Sequence, residues 1–240
     1  MKLDILAVAS HPDDVEMSCG GTVIKHTMQG DKVGLVDLTR GELGTRGSKE
    51  IRNQEAKDAA AILGIQVREN LDLGDGRFQN TTENQLKLIA LIRKYQPDVL
   101  LGPAIFDRHP DHGKGANLVR DAWFYAGIKN MKTFDEQGNP QAAWRPRLLL
   151  HYIQDRWIKP DIVVDVSAVF DKKMDSVRAY KSQFHDPNST DDETYLSSPA
   201  FMETLATRAR EMGRPAGFQY AEGFTANNRF LGVENLLHVF

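Results

Sequence analysis

Two short clusters carry the residue types that bind metals and move protons. The first is His11-Pro12-Asp13-Asp14 and the second is Asp107-Arg108-His109-Pro110-Asp111-His112. Imidazole and carboxylate are good ligands for zinc, and a turn fixed by Pro12 can direct His11 and Asp14 at one metal while turning Asp13 toward a substrate. A catalytic zinc keeps three protein ligands and an open position, and His11, Asp14 and His112 supply that set with one formal negative charge. A competing reading of the first cluster is helix capping, since Asp near a helix start is stabilising in any protein. For the second, the competing reading is a surface histidine cluster. His109 has three candidate roles: a third imidazole ligand, an acid and oxyanion stabiliser, or an exposed neighbour. The second is favoured, with Asp111 accepting a hydrogen bond from its ring and favouring the protonated form, unless Asp111 only caps the next helix.

The elements around these clusters place both at strand ends. Leu3 to Ser10 is a short apolar run without helical periodicity, which suits a buried parallel strand that ends at His11. A helix is expected from Gly20 to Gln29 and a strand from Lys32 to Leu38, giving a β-α-β opening. The alternation continues with helices over 49–63 and 84–95 and strands over 67–73 and 98–102. The last of these strands precedes the second cluster. Helices over 115–126, 169–183 and 201–212, and strands over 147–153 and 161–166, complete the pattern. The expectation is an α/β fold: a single Rossmann-like domain over 1–240, with a mostly parallel sheet flanked by helices and a C-terminal elaboration. Open sheets of this kind bind ligands beyond the carboxyl ends of their strands. The irregular stretches are 132–146 and 185–199, the second a candidate lid. Asp72-Leu73-Gly74-Asp75-Gly76 reads as a turn, and no G-x-G-x-x-G follows the first strand.

Composition narrows the partners. A net charge of -3 with 41% hydrophobic and 26% charged residues describes a globular chain without the basic footprint of a nucleic-acid binder. One cysteine, Cys19, excludes an intramolecular disulfide framework, and no apolar run is long enough to span a membrane. Without a cationic leader before the first strand, the expected compartment is the cytoplasm. His26, His151, His185 and His238 are assigned no metal.

The paired motifs Ser10-His11-Pro12-Asp13-Asp14 and His109-Pro110-Asp111-His112 resemble those of the LmbE/PIG-L-like zinc N-acetylglucosamine deacetylases. Further matches are Leu38-Thr39-Arg40-Gly41-Glu42, Arg52, Glu55, 179–184 and 220–224. These later segments look like the bacillithiol-biosynthesis deacetylases, which remove acetate from N-acetylglucosaminyl malate. The resemblance implies one Zn2+ per chain on His11, Asp14 and His112, although iron, cobalt or manganese also suit such ligands. It implies Asp13 as general base and His109 as electrostatic partner, with Arg52 reaching a sugar hydroxyl or a substrate carboxylate. Arg108 and Tyr195 are weaker substrate-binding candidates. The expected partner is a small N-acetylated amino-sugar glycoside, with self-association common among relatives. Rival readings are another N-acetylglucosamine-containing sugar or glycoconjugate, and a non-catalytic sugar- or nucleotide-binding module.

Overall fold

The computed structural model describes residues 1–186, 189–226 and 228–233, so Pro187 and Asn188 of the candidate lid, and His238, lie outside the described residues. The elements run β1 (Ile5–Ala9), α1 (Asp14–Gln29), β2 (Val33–Asp37), α2 (Lys49–Leu63), β3 (Val67–Asn70), α3 (Thr82–Tyr95), β4 (Val99–Gly102) and α4 (Pro110–Ala126). They continue with β5 (Leu148–Tyr152), β6 (Ile162–Asp165), α5 (Phe170–Arg178), α6 (Pro199–Gly213) and β7 (Ala221–Thr225). The seven strands form one sheet in the order β3-β2-β1-β4-β5-β7-β6. The first five are parallel, and β7 runs antiparallel between β5 and β6.

The unbroken apolar run of β1 is explained by its place in the middle of this sheet, covered on both faces. Alternate side chains enter different cores. Ile5, Ala7 and Ala9 pack with Val23, Ala59, Leu63 and Val177 on the side of α1, α2 and α5. Leu6 and Val8 pack with Leu88, Ile92, Leu118 and Val119 on the side of α3 and α4. After β1 the chain builds outward through β2 and β3, then returns to β4 on the opposite flank of β1. The crevice at that reversal, beyond the carboxyl ends of β1 and β4, is where such sheets take ligands. Both clusters stand there.

Two helices start earlier than their sequences suggest. α1 begins at Asp14, and a break at Cys19 (φ −139°, ψ 19°) separates its first turn from the expected segment at Gly20. At the break, Glu222 of β7 caps the second half: its carboxylate accepts from Gly21 N (2.9 Å), Thr22 N (2.6 Å) and Thr22 Oγ1 (2.7 Å). Lys173 of α5 completes the cluster, with Nζ 2.6 Å from Glu222. α4 begins at Pro110 with His109 as its N-cap, Pro being well suited to a first turn. Gly113 and Gly115 obscure that start in the sequence. Gly115 is required by packing, because a Cβ there would stand 2.6 Å from Ser10 Oγ. α5 ends at Arg178, short of the expected Gln183.

His151 on β5 is buried away from the clusters, its Nδ1–H donating to Pro103 O at 2.8 Å while Nε2 has no partner. Burial pushes its pKa down to about 4. The unfolded chain protonates this ring near pH 6.5, so between pH 6.5 and 4 the unfolded state binds more protons and stability falls as pH falls. The expected loss is about 2 kcal/mol between pH 7 and 5. It is read as a narrowing of the stability difference between the parent and His151→Phe in urea unfolding at the two pH values. Parallel pH profiles for the two proteins would contradict it.

Candidate metal and catalytic site

The turn after β1 is held by reciprocal bonds: His11 N donates to Asp14 Oδ2 (2.9 Å), and Asp14 N to His11 O (3.3 Å). Asp13, at the N-cap of α1, has φ 116° and makes no side-chain cap bond. That strained backbone is of the kind that accumulates at functional positions. Instead of capping, its Oδ2 faces Arg52 Nη2 at 3.1 Å. Burial pushes the Asp13 carboxyl up to about 7, against the pull of Arg52.

The Asp14 carboxylate stands between two rings, with Oδ2 3.5 Å from His11 Nδ1 and Oδ1 3.2 Å from His112 Nε2. Two ligands about 2.1 Å from a tetrahedral zinc are about 3.4 Å apart, so these spacings fit one shared cation. Two other groups of three have donor atoms within 4.8 Å of one another: His11, His109 and His112, and His11, Asp75 and Asp111. Asp14 is preferred because, among the described carboxylates, it alone has oxygens within 3.5 Å of ring nitrogens of both His11 and His112. Burial alone would lower both histidines, but Asp111, Asp14 and Asp75 hold His11 well above its ordinary value, and Asp14 and Asp107 raise His112 to about 9. Burial would raise Asp14, yet His112 and His11 keep it well below the carboxylate range. The carboxylates behind these shifts, on Asp14, Asp75, Asp107 and Asp111, are surroundings that suit a dication.

One expectation is corrected. Asp111 does not hold the His109 ring through its carboxylate; its backbone N–H donates to His109 Nδ1 at 3.2 Å, as the capping geometry of α4 demands. The Asp111 side chain turns the other way, to Lys114 Nζ (2.9 Å), Gly76 N (2.7 Å) and His11 Nε2 (3.5 Å). With Nδ1 acting as acceptor, His109 is neutral and Nε2 is its donor; burial and the neighbouring His11 and His112 lower its pKa. Arg52, the expected substrate contact, does line the pocket, and its terminal nitrogens also bond Gly41 O (3.1 Å), Pro12 O (2.6 Å) and Asp13. Gly41 has φ 65°, and a Cβ there would lie 2.3 Å from Arg52 Nη1, so glycine lets the arginine brace the catalytic turn.

These groups line a cavity of about 230 Å³ together with Arg108, Tyr195, Gln154, Asp155 and Arg208. Arg108 lies over the Tyr195 ring at 4.3 Å, and Tyr195 Oη donates to Asp155 Oδ1 at 2.8 Å. Arg208 Nη2 donates to Asp155 O at 2.9 Å. The segment 185–199 thus contributes Tyr195 and Leu196 to the pocket wall. Sequence reasoning missed Gln154, whose Nε2 donates to Asp14 Oδ1 at 3.0 Å, and Asp75, Asp107 and Arg208. Asp107 lies inside the second cluster and carried a signal; Arg208, on a helix with no chemical motif, carried none.

A crevice at the sheet's reversal point, with histidines and carboxylates spaced for a divalent cation beside a buried acid, defines a hydrolase-like site on an open α/β fold. Residues 6–123 match the PIG-L family, described as GlcNAc-PI de-N-acetylase. The chain is 31% identical to diacetylchitobiose deacetylase of Thermococcus kodakarensis, spanning 91% of this chain and 81% of that protein. It is 27% identical to 4-oxalmesaconate hydratase of Pseudomonas putida, over 75% of this chain and 74% of that one. It is 26% identical to a probable N-acetyl-alpha-D-glucosaminyl L-malate deacetylase 2 of Bacillus cereus, over 76% and 84%. The crystal structure of the conserved protein TT1542 from Thermus thermophilus superposes with a TM-score of 0.84 at 34% identity, covering 97% of this chain and 98% of that one. The chain belongs to the PIG-L family of deacetylases. Among the described residues no helix is long and apolar enough to cross a membrane.

Proposed function

We propose that this chain is a zinc-dependent deacetylase of N-acetylglucosaminyl glycosides, working in the cytoplasm as one deacetylase domain over 1–240. The observation that carries this reading is the Asp14 carboxylate set between His11 Nδ1 and His112 Nε2, next to the buried, Arg52-held Asp13. His11, Asp14 and His112 hold the metal, which when bound supplies Lewis acidity toward a water and the amide carbonyl. Asp13 takes the proton of the attacking water on Oδ1, the oxygen that Arg52 leaves free. His109 donates from Nε2 to the carbonyl oxygen as negative charge develops there. The proton that Asp13 took passes to the sugar nitrogen, the C–N bond breaks, and acetate and a free amine separate.

The finer reading is N-acetylglucosaminyl malate, the substrate of bacillithiol biosynthesis. Its support is the 26% identical malate deacetylase and the guanidinium groups of Arg108 and Arg208 in the pocket wall, which suit a carboxylate. A chitobiose-type substrate has the more similar relative on its side. Acetate release from N-acetylglucosaminyl malate, diacetylchitobiose and N-acetylglucosamine, with metal-stripped and zinc-restored protein, tests both levels. Zinc-restored turnover that prefers the malate glycoside at least tenfold is expected, since a lost charge-assisted contact costs about 1.5–3 kcal/mol. Turnover without that preference removes the malate assignment and keeps the deacetylase. Absence of turnover on all three by folded, zinc-loaded protein overturns the reading.

A further inference from the structure

Behind the two metal-facing histidines stand two carboxylates that the mechanism above does not use. Asp107 Oδ2 bonds His112 Nδ1, and Asp75 Oδ1 lies 3.0 Å from His11 Nε2. In both cases the opposite ring nitrogen is the one facing Asp14. Each aspartate has a second commitment on its other oxygen. Asp107 Oδ1 accepts from Arg156 N at 2.7 Å, and Asp75 Oδ2 accepts from Leu43 N at 2.9 Å. Leu43 lines the pocket, and Arg156 directly follows Asp155, which also lines it. Both side chains are almost fully buried, so neither bond is maintained by solvent.

We propose that Asp75 and Asp107 are positioning residues with two duties, orienting His11 and His112 for the metal and tying metal occupancy to two stretches of chain that contribute to the pocket wall, 41–44 and 154–157. The proposal rests on the metal reading above. A ring whose outer N–H donates to a carboxylate presents a fixed, more basic lone pair on its inner nitrogen, and loss of such a partner commonly costs about 10–100-fold in metal affinity. Because the same carboxylate also accepts a loop amide, a metal that holds the ring also steadies the loop, and the steadied loop favours the metal in return. His11 has a second, longer contact to Asp111 at 3.5 Å, so Asp107 is the more decisive position.

The test measures zinc affinity by competition with a chromophoric chelator, and hydrogen exchange of peptides covering 41–44 and 154–157 with and without zinc. Parent protein, Asp107→Ala and Asp75→Ala are compared, with the near-isosteric Asp107→Asn as the variant to use if Asp107→Ala does not fold. Zinc is expected to slow exchange in both segments of the parent. In the Asp107 variants affinity falls about 10–100-fold and the zinc effect disappears from 154–157 while persisting at 41–44. Asp75→Ala gives the converse pattern with a smaller affinity loss. Affinities within about twofold of the parent, or zinc-dependent protection unchanged at both segments, overturn the proposal. A parent that binds no zinc overturns the metal reading instead.

Discussion

Replacing Asp13 with asparagine is expected to lower acetate release by about 10²–10⁴-fold while zinc content stays at the parental value. The substitution is nearly isosteric, and Arg52 keeps its bonds to Pro12 O and Gly41 O, so the turn after β1 retains its brace. What disappears is a group able to accept a proton. The metal-facing positions are His11 Nδ1, Asp14 and His112 Nε2, none of which belongs to Asp13. Turnover assayed beside metal analysis of the same preparation therefore separates two roles. Full activity in the variant would remove Asp13 as the base. Loss of zinc along with activity would make it a ligand.

The largest effect on stability is expected away from the reacting atoms, at Glu222. Its carboxylate caps the second half of α1 and neutralises Lys173, and both residues are buried, at 2% and 3% exposure. Glu222→Ala leaves an ammonium group and two helix N–H groups buried without their acceptor. Breaking a buried pair from one side costs about 3–5 kcal/mol. At about 2–4 °C per kcal/mol for a chain of this size, that is a fall of roughly 6–20 °C in Tm by calorimetry. Coupling Lys173→Met to Glu222→Ala should recover part of the loss, because the stranded charge goes with it. A double variant no more stable than Glu222→Ala would show that the cap, rather than the ion pair, carries the effect.

The parallel half of the fold is legible because period, length and turn residues agree there. The 49–63 helix coincides with α2, which Ser48 caps and Gly64 ends. The starts of α1 and α4 were hidden for a shared reason: both open on the residues of the site, His-Pro-Asp clusters and glycines that read as loop. The site's core residues stand out because ligand types cluster locally. Their supporting residues do not, since Asp75 reaches His11 from a turn 64 positions away that resembles any other glycine-rich turn. Arg52 was visible as a residue but not in its bracing of the turn, which depends on the space left by Gly41. The Asp111 carboxylate was misdirected for a similar reason: only the capping geometry of α4 shows that its backbone, not its side chain, meets His109.

The cap on α1 also bears on how the protein is made. Gly21 and Thr22 lie in the first helix, and the carboxylate that satisfies their amides arrives 201 and 200 residues later. Until β7 leaves the ribosome, the helix that carries Asp14 has an open break, and β5 lacks the neighbour that joins it to β6. Contacts so distant along the chain close slowly and late. A nascent chain stopped before residue 222 therefore holds both catalytic clusters in sequence without the support that sets them in place. Its exposed strand edge and uncapped helix make it a substrate for chaperones rather than a working enzyme.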